Sequence, residues 1–305
     1  MDDMVLIMDV KPNFYKEFKC LEVNCNDICC KGWNVPLDEL SINAMKIVCR
    51  TNDINFDDNI ICKNGDIYIN FKDGVCPFLK DKLCVLQRLG GDKSLCYVCR
   101  EYPRQRVVYE GCWAKYSLLL SCEEAVKKLL IKTDGKDDFK LPNDLNSEVN
   151  SVVKYHNEII DKIYENNNIK EVLWTEVKLR TEHFKNLSFE EFLISAIDVI
   201  HKIELTDKDL LSFIHNNVIF NEFGLSTIET KNLFAYYIWH YFNGNNINEV
   251  MRLSLYMVSL YDYFVSALEV KSVYNKADII HRLYREIEHS DNNVTIINKF
   301  MELGE

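Results

Sequence analysis

Apolar residues recur at helical spacing through the second half of the chain. In residues 188–203, Ser188 and Glu191 have the spacing of a helix capping box, and an apolar face follows them. That face consists of Phe189, Phe192, Leu193, Ala196, Ile197 and Ile200. The same periodicity predicts helices at 228–243 and 247–270, and one or two more to the end of the sequence.

The first part of the chain mixes strand-like and helix-like patterns. Apolar and polar residues alternate in DIYINF at 66–71, which predicts a short strand after the Asn64-Gly65 turn signal. Residues 36–50 and 113–131 carry apolar positions at helical spacing, so we predict helices there.

These patterns predict a mainly α protein in two regions. We expect a cysteine-rich, metal-bound N-terminal region with a few short strands at 1–132, and a bundle-like helical region at 149–305. The polar segment 133–148 contains a Gly and a Pro and is predicted to be a linker or an exposed loop. In the helical region, Thr206 and Asp209 predict the start of another helix.

Composition narrows the possible functions. The 305 residues are 48% hydrophobic and carry a formal net charge of −11, which argues against nonspecific nucleic-acid binding. The apolar run at Met4–Met8 is too short for a secretory signal, and the apolar segment 233–242 is too short to span a membrane. We therefore expect a cytoplasmic protein that engages neither nucleic acid nor a membrane.

Twelve cysteines lie between Cys20 and Cys122, and none follows. Eight of them fall into three groups, and we predict these as metal ligands: Cys20, Cys25, Cys29, Cys30, Cys76, Cys84, Cys96 and Cys99. Disulfides would require an oxidising compartment, for which the sequence has no signal. Buried or idle thiols would account for the solitary Cys49, Cys62 and Cys112 rather than for the groups.

The spacing leaves the identity of the metal open. Zinc sites favour two short Cys-x2–4-Cys pairs, and Cys96 with Cys99 is the clear pair here. An iron–sulfur cluster accepts more varied spacing, and Pro77 after Cys76 is typical of some cluster sites. Spacing favours the cluster slightly, with zinc as the alternative.

Three cysteine segments together resemble the flagellin lysine-N-methylase family: CX4CX3CCXGW, CPFL followed after four intervening residues by a cysteine, and LCYVCREYPR. The cysteine-rich region is also similar to a broad zinc- or iron-chelating family with eight cysteines. Outside it, KNLFAYYIWHYF (231–242) and REIEHSDNN (285–293) look like later segments of the methylase family. The resemblance implies methyl transfer from S-adenosylmethionine to lysines of flagellin, and an iron–sulfur cluster, here a [4Fe–4S] cluster of structural role.

Such a reaction requires a group that accepts a proton from the lysine amine. The candidates for this catalytic role are Glu286, Glu288 and His289, although these residues could equally form a solvated helix end. Tyr237, His240 and Tyr241 are candidates for cofactor binding, because aromatic rings attract a sulfonium ion; ordinary core packing is the alternative. The competing function is a non-catalytic, metal-stapled protein-interaction module or a metal-handling protein.

Overall fold

The computed structural model describes residues 8–25, 29–31, 34–109, 113–133, 135–142, 150–208, 210, 224–244, 246–268 and 272–303. The chain divides into two compact units. The helical unit consists of Met1–Phe18 and Arg106–Glu305, and the cysteine unit consists of Lys19–Gln105. The boundaries predicted at 132 and 149 fall inside the helical unit, and as domain boundaries they stay a prediction.

The described residues contain twelve α-helices and seven short strands, so the prediction of a mainly α fold is confirmed. The helices are α1 Asn13–Lys16, α2 Glu39–Thr51, α3 Val85–Gly90, α4 Tyr97–Glu101, α5 Glu123–Leu130, α6 Asn150–Glu165, α7 Ile169–Arg180, α8 Phe189–Ile200, α9 Thr227–Tyr241, α10 Ile247–Ala267, α11 Val273–Glu288 and α12 Asp291–Leu303. The strands are β1 Met8–Val10, β2 Ile60–Lys63, β3 Asp66–Ile69, β4 Leu79–Lys80, β5 Leu83–Cys84, β6 Arg104–Tyr109 and β7 Trp113–Leu118.

Helix α9 is the centre of the helical unit. Every side chain from Glu229 to His240 is buried, as expected of a helix enclosed on all sides by other elements. The helix begins at a capping box in which Ser226 and Glu229 satisfy each other's backbone amides. Glu229 also pairs with the buried Lys276 of α11, with 2.7 Å between the carboxylate and the ammonium.

A three-stranded sheet in the order β1–β7–β6 lies beside the helices of this unit. β1 runs parallel to β7, pairing Met8 with Trp113 and Val10 with Lys115. The helix predicted at 113–131 is therefore wrong for its first six residues, and only Glu123–Leu130 is helical. Aromatic residues in WAKYSL favour a strand, and pairing with β1 outweighs the helical spacing of the apolar residues.

The cysteine unit is built from two hairpins and short helices around its own apolar core. β2 and β3 pair antiparallel through the turn at Asn64 and Gly65, and both of these residues have positive φ. β4 and β5 form the second hairpin. Helix α2 begins at Asp38, whose side chain accepts a hydrogen bond from the amide of Ser41 at 2.9 Å.

The strongest helix predictions from the sequence are confirmed. Helices α8, α9 and α10 cover the three segments that carry clear helical periodicity. The helix predicted after Thr206 lies mostly outside the described residues. Of the predicted linker at 133–148, residues 133 and 135–142 are described; Asp137–Phe139 forms a single 3-10 turn, and Phe139 and Leu141 are buried in the apolar core of the helical unit. Among the described residues, no helix combines the length and the apolar character that crossing a membrane requires.

Candidate functional site

Seven of the eight predicted ligand cysteines lie close enough to raise or lower one another's thiol pKa. We call these seven the thiol cluster: Cys20, Cys29, Cys30, Cys76, Cys84, Cys96 and Cys99. The interacting pairs include Cys20–Cys29, Cys29–Cys84, Cys30–Cys99, Cys76–Cys84, Cys76–Cys96 and Cys96–Cys99. The fold thus gathers all three sequence groups in one place within the cysteine unit.

Short elements of the cysteine unit position these thiols. The amide of Cys76 donates a hydrogen bond to the carbonyl of Cys30 at 2.9 Å, which joins the first group to the second. Cys84 ends β5 and directly precedes α3. Cys96 caps the start of α4, where its sulfur accepts a hydrogen bond from the amide of Cys99 at 3.5 Å.

The electrostatics of the cluster differ from thiol to thiol. Burial raises the pKa of Cys76 to about 12 and also raises the pKa values of Cys84 and Cys20. A hydrogen bond from the Cys99 thiol lowers the pKa of Cys96, and the same bond raises the pKa of Cys99. Most of these thiols therefore hold their protons unless a cation replaces them.

The remaining cysteines have different surroundings. Cys25 follows the single helical turn Glu22–Asn24 and is partly exposed. Cys49 is buried in the apolar core of the cysteine unit, and Cys62 is exposed on β2. None of the eleven cysteines in the described ranges is joined in a disulfide; Cys112 lies outside those ranges.

The donor chemistry of the thiol cluster suits a soft or borderline metal. Thiolates are the ligands of iron–sulfur clusters and of structural zinc alike. In the described residues, no three Cys, His, Asp or Glu side chains are arranged to hold a single metal ion. The cluster is therefore defined here by its donors and their proximity rather than by a coordination geometry.

A second group of interacting polar side chains lies in the helical unit, where tyrosine hydroxyls surround one carboxylate. The hydroxyl of Tyr241 donates a hydrogen bond to Oε2 of Glu288 at 2.5 Å and lies 3.2 Å from the hydroxyl of Tyr284. The hydroxyls of Tyr237 and Tyr261 are 2.6 Å apart. The rings of Tyr237 and Tyr241 stack with centroids 5.6 Å apart.

This environment changes the acidity of Glu288. Burial raises the pKa of its carboxyl to about 7, and the hydroxyls of Tyr241 and Tyr237 oppose the increase. Burial, with the charge of Glu288, raises the pKa values of Tyr241 and Tyr284 well above their usual value. Glu288 can therefore bind or release a proton near neutral pH, whereas the phenols keep theirs.

A pocket of about 190 Å³ opens beside Glu288. Helices α10, α11 and α12 and the end of α9 line it with Tyr241, Asn246, Glu249, Val250, Leu253, Ile287, Glu288, Val294, Ile297 and Asn298. Its walls are mainly aliphatic, and its polar groups are two carboxylates, two amides and one phenol. The volume of the pocket is below the roughly 300–1,000 Å³ that is usual for sites of drug-sized ligands.

The other predicted site residues of this unit are placed differently. Glu286 accepts hydrogen bonds from the amide and hydroxyl of Thr206 at 2.5 and 2.8 Å. His289 is exposed at the end of α11. His240 is buried, and its Nδ1 lies 2.7 Å from the hydroxyl of Ser117. The structure thus brings Tyr237 and Tyr241 together with Glu288, and the ring centroid of His240 lies 4.6 Å from that of Tyr241. The roles of all six residues stay predictions.

Three residues in or near this site were missed in the sequence analysis. Tyr284 is one helical turn before Glu288, so their shared helix face was a usable signal for the pair. Tyr261 comes from another helix, and no local pattern indicates its contact with Tyr237. Lys115 is buried, and its ammonium donates hydrogen bonds to the carbonyls of His240 and Phe242 at 3.1 and 2.6 Å.

Comparison with known proteins gives partial matches. Flagellar biosynthetic protein FliU of Salmonella muenchen is 33% identical over 135 residues, which cover 41% of this chain and 78% of FliU. Two proteins named Lysine-N-methylase, from Salmonella typhimurium and Salmonella choleraesuis, are each 32% identical over 135 residues. These matches cover 41% of this chain and 33% of each methylase, so the alignment spans about a third of the methylases' length.

No family model and no solved structure matches the chain. The match to FliU covers more than two thirds of that protein at 33% identity. The chain therefore belongs to the flagellin lysine-N-methylase family, which includes FliU.

Proposed function

We propose that the protein is a lysine N-methyltransferase that uses S-adenosylmethionine, acts on flagellin and works in the cytoplasm. The observation that carries the proposal is the similarity to two proteins named Lysine-N-methylase and to a flagellar biosynthetic protein. The phenol-bound Glu288 adds support, because it is a carboxylate of the acidity that the reaction requires.

The chemistry needs a proton acceptor beside the substrate amine. S-adenosylmethionine supplies a methyl group on a positively charged sulfur. A lysine amine has a pKa of about 10.4 and is protonated at neutral pH, so it must lose a proton before its nitrogen can attack. Glu288 accepts that proton; the new N–C bond forms as the S–C bond breaks, and the electron pair of that bond stays on sulfur.

The aromatic residues have distinct parts in this proposal. Tyr241 orients the carboxylate of Glu288 through its 2.5 Å hydrogen bond. The rings of Tyr237 and Tyr241 stack with centroids 5.6 Å apart, Tyr241 lines the pocket, and aromatic faces suit a sulfonium ion. Because the pocket is small, it fits the amine side of the reaction better than the complete methyl donor.

We further propose that the thiol cluster holds a [4Fe–4S] cluster of structural role, with zinc as the alternative. Its support is the gathering of seven thiols from three groups within one small unit. Protein purified without oxygen is expected to be brown and to contain about four irons per chain. A colourless protein that contains zinc and no iron would contradict the iron–sulfur assignment.

The test of the activity is incubation of the purified protein with flagellin and isotope-labelled S-adenosylmethionine, followed by mass spectrometry of flagellin lysines. We expect label on lysine ε-amines, and much less with Glu288→Gln. Glu302→Gln is the matched control, because Glu302 is an exposed carboxylate on α12 and does not line the pocket. Absence of both methylation and calorimetric binding of S-adenosylmethionine would favour the protein-interaction module instead.

A further inference from the structure

The pocket beside Glu288 has the chemistry of a site for an aliphatic cation. Its inner wall is formed by Val250, Ile287 and Ile297, all of which are at most 2% exposed. Glu249 and Asn298 stand exposed at its rim. A ligand in this pocket therefore contacts apolar walls and the carboxylate of Glu288.

Glu288 lines the pocket, and one of its carboxylate oxygens has no hydrogen bond from the described residues. Its Oε2 accepts the hydrogen bond from Tyr241, whereas its Oε1 is buried and accepts none from the described residues. A buried acceptor without a donor is costly, and a ligand that donates to it removes this cost. This unpartnered oxygen points to a ligand independently of the shape of the pocket.

The polar groups favour an ammonium ion over other ligand ends. The Tyr241 hydroxyl already donates to Glu288, and the amide of Asn246 donates to the carbonyl of Tyr241 at 3.0 Å. Acceptors therefore predominate in the lining, and the exposed amide of Asn298 is the other donor group. An ammonium ion provides three donors and a positive charge, whereas an anion would meet the charges of Glu288 and Glu249. The aliphatic walls suit a stem of methylene groups.

We propose that this pocket binds the alkylammonium end of a lysine side chain, with the methylene stem against Val250, Ile287 and Ile297 and the nitrogen at the carboxylate of Glu288. Glu288 then binds the ammonium group inside the pocket, and Glu249 attracts the cation at the rim. The identification of the ligand as a substrate lysine rests on the proposed function. The binding of a simple alkylammonium ion does not depend on it.

Binding of n-butylammonium, followed by NMR titration of the whole protein, tests the pocket directly. We expect a dissociation constant on the order of millimolar, because such a small ligand has few atoms in contact. Butanol and butyrate, which have the same stem without a positive charge, are expected to bind at least about tenfold more weakly. Equal binding of butanol and n-butylammonium would overturn the proposal.

Two variants test separately the contribution of the Glu288 carboxylate and that of the space in the pocket. Glu288→Gln removes the charge and is expected to weaken n-butylammonium about tenfold or more, whereas Glu302→Gln is expected to leave it unchanged. Leu253→Trp places a large side chain in the pocket and is expected to abolish binding, with Ile194→Trp, at a 53% exposed position on α8, as its control. Unchanged binding in Leu253→Trp, with the fold intact by circular dichroism, would place the ligand elsewhere.

The outcomes distinguish the pocket from the proposed function. Binding of n-butylammonium that is lost in Glu288→Gln would support the pocket even if flagellin is never methylated. Methylation of flagellin that persists at the normal rate in Leu253→Trp would overturn the pocket while leaving the methyltransferase proposal intact.

Discussion

At the scale of single residues, Lys115 places an ammonium group inside the helical unit. The side chain is 2% exposed and donates to the last carbonyls of α9, where the partial negative charge of a helix end favours a cation. Burial nevertheless lowers its pKa to about 7, from 10.5. Lys115 therefore makes the stability of the protein depend on pH.

The sign follows from which state binds more protons. Between pH 7 and 10.5 the unfolded chain carries a proton on Lys115 and the folded chain does not, so stability rises with pH, by at most about 1.4 kcal/mol per pH unit. Lys115→Met should flatten this rise in urea unfolding measured from pH 7 to 10. Lys202→Met, at an exposed position, should keep it; an equal rise in both variants would contradict the assignment to Lys115.

Glu288 leads to a prediction for activity that rests on the proposed function. Its carboxyl has a pKa raised to about 7, and the base form is needed. Below pH 7, kcat/KM should therefore fall about tenfold per pH unit beyond the decrease caused by the lysine substrate itself. Glu288→Gln should lose this extra decrease and about 100-fold or more of the rate. If the extra decrease of kcat/KM below pH 7 persists in Glu288→Gln, another group is the base.

Part of this site was predictable from the sequence. Glu288 and Tyr241 were named because carboxylates and aromatics are the side chains that the chemistry needs. Lys115 was not, because a lysine side chain is ordinarily exposed and residues 113–131 were predicted to be a helix. Its burial depends on where α9 ends, which is a tertiary fact without a local pattern.

At the scale of elements, two capping boxes allow a matched comparison. Glu229 of α9 and Glu191 of α8 each accept a hydrogen bond from the cap serine amide at 2.7 Å. Only Glu229 is buried and also pairs with buried Lys276, at 2.7 Å. Glu229→Gln leaves that ammonium without its charge partner and should cost about 3–5 kcal/mol. Glu191→Gln should cost within about 0.5 kcal/mol.

Urea unfolding at neutral pH measures both variants, and the slope against urea should stay constant if only stability changes. Similar decreases in the free energy of unfolding for the two variants would show that the ion pair with Lys276 contributes little stability beyond that of the capping box.

Elements were predictable where local signals agreed. Helices α8, α9 and α10 combine helical periodicity with caps or clear ends, and they appear where the pattern predicts them. Strand β7 was mistaken for a helix because its partner β1 is about a hundred residues away in sequence. A parallel pairing of that separation has no sequence signature.

At the scale of the whole molecule, the convergence of the cysteines could be predicted from the sequence. The division of the chain into two units could not. The eight spaced cysteines predicted that thiols would converge, and seven do so. The first residues of the chain belong to the helical unit because β1 pairs with β7. A boundary drawn after the last cysteine could not anticipate this pairing.

The proposed cluster makes the folding of the cysteine unit depend on metal. Cys99 interacts with the thiols of Cys96, Cys30 and Cys76, so Cys99→Ser removes a thiol that interacts with a member of each of the three groups. We expect Cys99→Ser purified without oxygen to lose its iron and its visible absorption band. Because metal binding and folding are coupled, protease should then cut within Lys19–Gln105.

Cys62→Ser is the matched control, because Cys62 is exposed on β2 in the same unit and lies outside the thiol cluster. It should keep its iron content, its absorption band and its resistance to protease. A Cys99→Ser protein with its full iron content would remove Cys99 from the ligands, and the cluster would then have to rest on the other thiols. Loss of iron in both variants would instead indicate that any serine in this unit disturbs its fold.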